Sequence, residues 1–168
     1  MHGLARILGV IAIATLTTSG ALAQSFGDTA APLLNGDTKS TLVYTFPGAL
    51  NIGTLATVVS CTSTEKEGGA DVTFGVEFWS NGGLVNDLTT GTGVESLTPG
   101  DTDNIATQAT LALPEENVAT GAITVGAGRI FASSTKIICT AFLVDAANSP
   151  PNLISVLPVF KKTKQLGG

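Results

Sequence analysis

The chain has 168 residues, 43% of them hydrophobic and only 12% charged, and 13 acidic against 8 basic side chains give a net charge of −5. That balance repels phosphate backbones, so a nucleic-acid partner is excluded. The length is that of one domain able to bury a full core.

The first residues read as an address. His2 and Arg6 make a short, weakly basic start, Leu8–Leu16 is apolar apart from Thr15, and Ala21-Leu22-Ala23 is a small-x-small cleavage signal before Gln24. The apolar run is shorter than the roughly 20 residues a membrane span needs. With Gln at position 24 there is no cysteine to acylate. A cleaved signal peptide over 1–23 is therefore expected, leaving a mature chain from Gln24 without a membrane span. The expected location is secreted or periplasmic in a bacterium, and the lack of an Asn-x-Ser/Thr sequon agrees with that. The only histidine, His2, falls inside this segment. A mature chain without imidazole has no Ser-His or Cys-His base and no histidine ligand for zinc, copper or iron.

Residues 24–40 read as a leader segment or a loose first strand, 41–160 as the β domain, and 161–168 as a flexible tail. Thr41–Phe46 is a short β-branched and aromatic strand that should stop at Pro47-Gly48. Thr54–Thr62 follows, with Leu55, Val59 and Cys61 on one face and Ala56, Val58 and Ser60 on the other. In Asp71–Ser80 the alternation is clearest: Val72, Phe74, Val76 and Phe78 share one face, Thr73, Gly75, Glu77 and Trp79 the other. Asn81-Gly82-Gly83 supplies the positive-φ residues of a hairpin returning through Leu84–Leu88. Gly91–Thr98 should end at the Pro99-Gly100 turn. Ile105–Leu113 alternates again, and Pro114–Ala119 has room for one helical turn. Ala122–Val125 and Arg129–Ser133 read as two short strands separated by Gly126 and Gly128. Thr135–Asp145 is apolar on both faces, as an inner strand should be, and Leu153–Phe160 closes the domain, with Pro158 marking an edge. Roughly eight or nine short strands, regular turn signals and no amphipathic helix predict an all-β fold, a single antiparallel β-sandwich.

Two cysteines in an exported chain point to a disulfide, Cys61 to Cys139, the alternative being two buried free thiols. The order Cys61, then Phe78 or Trp79, then Cys139 resembles the immunoglobulin-like and fibronectin III-like sandwiches. The chain also looks like small exported bacterial proteins built on such folds. The resemblance implies a two-sheet antiparallel domain and supplies no activity.

Few residues offer chemistry. Ser133-Ser134-Thr135-Lys136 contains Ser-x-x-Lys, but it enters a strand instead of opening a helix and lacks its partner motifs. Asp101-Thr102-Asp103-Asn104 is a weak calcium candidate through Asp101 and Asp103, with an Asx-stabilised turn as the competing reading. No other cofactor is expected. Gly126-Ala127-Gly128 and Gly91-Thr92-Gly93 read as turns or bulges, not phosphate loops. Glu115-Glu116 are adjacent and cannot straddle a sugar bond. Lys161, Lys162 and Lys164 are fewer than the clusters of about four to eight that bind anionic lipid. Trp79, on the outer face of its strand, either stacks on a glycan or protein partner or covers the sheet. The second face of the Cys139 strand, Ile138, Phe142 and Val144, is a binding surface if nothing covers it. The expectation is a non-catalytic binding or structural component, with an unknown protein or glycan as partner. The alternatives are a pilin-like strand-exchanging subunit and a small carbohydrate or peptide hydrolase.

Overall fold

The computed structural model describes Phe26 and residues 30–81, 83–110, 113 and 116–162. The expected signal peptide and residues 163–168 lie outside them. Among the described residues, eleven strands make an all-β fold: β1 (Thr41–Ile52), β2 (Leu55–Ser63), β3 (Val72–Ser80), β4 (Gly83–Leu84), β5 (Val94–Leu97), β6 (Thr102–Ala106), β7 (Glu116–Asn117), β8 (Ile123–Ala132), β9 (Ile137–Asp145), β10 (Asn152–Leu157) and β11 (Phe160–Lys161). They form one hydrogen-bonded sheet in the order β10-β9-β2-β1-β8-β3-β4. Strand β5 is added on β3, β6 on β2, β7 on β6 and β11 on β1. Every pairing is antiparallel except the short β6–β7 contact.

The sheet turns at β1. Its first residues pair with β8 on one side and β11 on the other, whereas β2 joins it only through Asn51–Ile52. The main core gathers Val59, Cys61, Ile105, Cys139 and Ala141 from β2, β6 and β9. It also takes Phe46, Phe74, Phe78 and Ile130 from β1, β3 and β8. Tyr44 of β1 donates its hydroxyl hydrogen to the Ile137 carbonyl of β9 at 2.8 Å, a buried bond across that core.

Both faces of the strands are used. Ala56, Val58, Ala106, Val144 and Ala146 form a second cluster on the other side of β2 and β9, with Leu113 and Phe142 packed against it. Leu34, Leu88, Val94 and Phe131 form a third, on the outer side of β3 and β8. Gly75 makes room for it, since a Cβ there would stand 2.9 Å from Leu34 Cδ2 and 3.0 Å from Leu88 Cδ1.

Several expected boundaries move. Pro47-Gly48 does not end the first strand. Gly48 takes φ 86° and the β1–β8 register shifts between Pro47 and Ala49, so the pair is an irregularity inside one long strand. Positions 122–133 are not two strands around a turn but the single strand β8. There Gly128 lies under the Phe46 ring, and a Cβ would come within 2.1 Å of Phe46 Cζ. The return strand after β3 is only two residues long, because Asn86 occupies the ladder itself. Its Oδ1 accepts the Phe78 N–H at 2.8 Å and its Nδ2 donates to the Val76 carbonyl at 2.8 Å. A 3-10 turn, Leu88–Thr90, comes next, capped by Asp87, whose carboxylate accepts the Thr89 N–H at 2.9 Å. The strand expected over 105–113 stops at Ala106, and Glu116–Asn117 is extended, not helical. Of the expected tail, Lys161 lies in β11 and the Lys162 N–H donates to the Val43 carbonyl at 2.9 Å. Leu34, in the expected leader, is fully buried.

Candidate functional site

Cys61 and Cys139 are directly opposite in the β2–β9 ladder and joined by a disulfide, with Cα atoms 4.1 Å apart. The bond therefore links hydrogen-bonded neighbours, whereas the immunoglobulin pattern bridges two facing sheets.

Trp79 belongs to a buried polar cluster. Alternation along β3 puts Glu77 and Trp79 on its outer face, and the register sets Glu77 opposite Arg129 of β8. Arg129 Nε donates to Glu77 Oε2 at 2.7 Å and Nη2 approaches the same oxygen at 2.6 Å, both side chains being almost wholly buried. Three rings enclose the guanidinium, with its carbon 4.8 Å from the Trp79 ring, 5.2 Å from Phe131 and 5.9 Å from Phe26. Phe26 meets Trp79 edge-on at 5.7 Å, and its carbonyl accepts from Arg129 Nη1 at 3.4 Å. Burial pushes the Glu77 carboxyl above its ordinary range, and the Arg129 charge pulls it only part of the way back. Trp79 is 5% exposed, so its ring is committed to this cluster and offers no open face for a sugar. The cleft beside it, between Phe26, Trp79, Asn81 and Val125, measures about 270 Å³, below the usual range of small-molecule sites. In the sequence Arg129 reads as the start of a short strand; only in β8 does it stand as the one charge inside a strand.

The remaining candidates have local partners. The Asp101 carboxylate accepts the Thr98 hydroxyl hydrogen and closes the turn into β6, whereas Asp103 Oδ1 accepts the Asn104 N–H at 2.7 Å within that strand. Glu95 lies near Asp103 and Glu116; burial first, then their two charges, raises its carboxyl. Among the described residues, no three His, Cys, Asp or Glu side chains are grouped to hold a metal. Ser133 Oγ accepts the Thr73 N–H at 3.0 Å, and Lys136 Nζ pairs with Glu65 Oε2 at 2.9 Å, so the Ser-x-x-Lys run fastens the β8–β9 connection.

The second face of β9 is divided. Ile138 is 63% exposed, Phe142 is half-buried, and Val144, 2% exposed, is covered within the second cluster. The three residues are therefore not exposed together. The apolar surface continues onto β10 instead, where Leu153, Ile154 and Val156 are each more than half exposed. β10 pairs only with β9, and among the described residues nothing is bonded along its outer edge. Leu153 sits opposite Val144 and Val156 opposite Phe142, with a register shift across Ile154. That bulge places both Leu153 and Val156 on the outer face, although three positions along a regular strand would put them on opposite faces. Ile138 lies further along β9, beyond the reach of β10.

No family model, curated protein or solved structure matches this chain, so the outer face of β9 and the free edge of β10 stand on their geometry alone.

Proposed function

We propose that the chain is a secreted, non-catalytic β-sandwich serving as a binding or structural component of a bacterial surface or periplasm. Its contact surface is the β9–β10 margin. The sandwich reading is supported by two strand sets, around β9-β2-β6 and β1-β8-β3, that meet at the β1–β2 corner and share one core. Export is supported by the pattern of residues 1–23 and by the disulfide, a bond that persists in oxidising compartments.

The observation that carries the function is β10, an apolar strand exposed along five of its six residues and, among the described residues, open on one side. Proteins whose edges have no use for pairing cover them or charge them. Ile154→Lys and Val156→Lys place charges on that strand without touching the core. Each variant is expected to keep the Tm and disulfide of the parent while losing association with the cell-envelope fraction. Undiminished association in both removes the contact role. N-terminal sequencing of the exported protein tests the address, and a first residue other than Gln24 refutes the cleavage site.

A further inference from the structure

We infer that the partner at this margin is a second copy of the chain, bound by antiparallel pairing of the two β10 edges about a two-fold axis. The inference rests on the contact role proposed above and names its occupant.

Charge is the first ground. Residues 146–160 contain no Asp, Glu, Lys or Arg, in a chain whose net charge is −5. Two copies repel over most of their surfaces but meet here without a like-charge penalty. A charged partner finds no counter-charge in this stretch.

Register is the second ground. An isologous contact must be self-complementary, with residue i meeting j and j meeting i. Centring the two-fold between Ile154 and Ser155 sets Leu153 opposite Val156 of the other copy. The bulge has already put both on the outer face, so these two apolar side chains meet across the axis, with Ile154 opposite Ser155 at its centre. Asn152 and Leu157, the next pair outward, also share a face, being opposite Asp145 and Ala141 of β9. A regular strand would place Leu153 and Val156 on opposite faces and spoil the match.

The ends set the stoichiometry. Pro150 and Pro151 precede the strand and Pro158 follows it, so the new ladder cannot extend past these six residues. A two-fold contact that uses up the edge closes as a dimer and does not propagate. A ladder this short buries less than the roughly 800 Å² per partner of a standard interface, so the dimer is concentration-dependent. The step is strand addition between folded chains; no strand leaves its own fold.

Sedimentation equilibrium of the exported, disulfide-intact protein from micromolar to millimolar concentration tests the inference, with amide exchange followed at both ends of that range. The average mass is expected to rise from monomer towards dimer. Amide exchange in 152–157 should slow with concentration while that of Gly83–Leu84, at the other end of the sheet path, stays unchanged. Ile154→Lys and Val156→Lys should each weaken the dimer at least tenfold with the Tm preserved. A protein monomeric throughout, or a dimer indifferent to both lysines, overturns self-pairing. If the protein stays monomeric while both variants still lose envelope association, self-pairing falls and the contact surface stands with a different partner.

Discussion

Glu77 and Arg129 form the most demanding contact in the molecule, because both charges have left water. Removing one partner of such a pair leaves the other uncompensated, at a cost of about 3–5 kcal/mol. Arg129→Leu, which strands the buried Glu77 carboxylate, is therefore expected to lose stability of that order in urea unfolding at pH 7. Replacing both residues with apolar ones of similar volume should cost far less, and an equal loss in the double variant would show that the ion pair itself stabilises the fold and that the stranded charge is not the source of the loss. The pH dependence has a definite sign. Burial raises the Glu77 carboxyl above 4.5, so its contribution is full below that value and is lost as the pH rises through the raised one. Glu95 has the same sign, from burial and from the neighbouring charges of Asp103 and Glu116. It is partly exposed, so solvent screens the effect. Glu95→Gln should raise the Tm by about 1–3 °C at pH 7 and leave it unchanged near pH 4; equal gains at both pH values would contradict the carboxylate repulsion. Little of this was legible in the sequence. The outer-face position of Glu77 and Trp79 follows from period 2 alone, but their partner Arg129 stands 52 positions away, and no local signal pairs them.

Glycine and proline explain why some strands were legible and others misread. Alternation gave the core face of β3, and the apolar residues of β2 divide between clusters as their spacing requires, Val59 and Cys61 in one, Ala56 and Val58 in the other. Pro47-Gly48 and the Gly126–Gly128 stretch look like breaks because those residues are the usual punctuation of turns. Here they serve long-range packing. Gly128 has no side chain because the Phe46 ring occupies that space, and Gly48 absorbs the bend of β1. A turn and a close approach ask for the same residue, and only the partner strand distinguishes them. Gly128→Ala consequently forces the Phe46 ring aside and is expected to lose about 1–3 kcal/mol in chemical denaturation. The double variant Gly128→Ala/Phe46→Leu should lose less than the sum of the two single changes. Strict additivity would mean that ring and glycine do not conflict.

At the scale of the molecule, the class of fold followed from turn spacing and the absence of helical periodicity, whereas the strand order did not. β8 lies between β1 and β3 although 70 residues separate β1 from β8 in the chain, and such pairings are chosen by matching faces after collapse. The disulfide was the exception, because chemistry names its partners when a chain has only two cysteines. Its energetic role can be argued from the ladder around it. Cys61 and Cys139 sit within an unbroken β2–β9 register that runs from Leu55 opposite Asp145 to Ser63 opposite Ile137, and each neighbours core residues of its own strand. The native arrangement is thus held by pairing and burial on both sides of the bond, and the bond acts mainly on the unfolded chain. A cross-link at a separation of 78 residues removes loop entropy worth about 4–5 kcal/mol before any native strain. For a domain of this size that is a fall in Tm of roughly 10–15 °C on reduction, with the far-ultraviolet circular dichroism of the β fold retained below the new midpoint. A Cys61→Ala/Cys139→Ala variant should behave as the reduced protein does, since alanines leave the ladder intact. Collapse of the β signal at room temperature in either form would mean that the bond organises the native β2–β9 pair and does not merely restrict its alternatives.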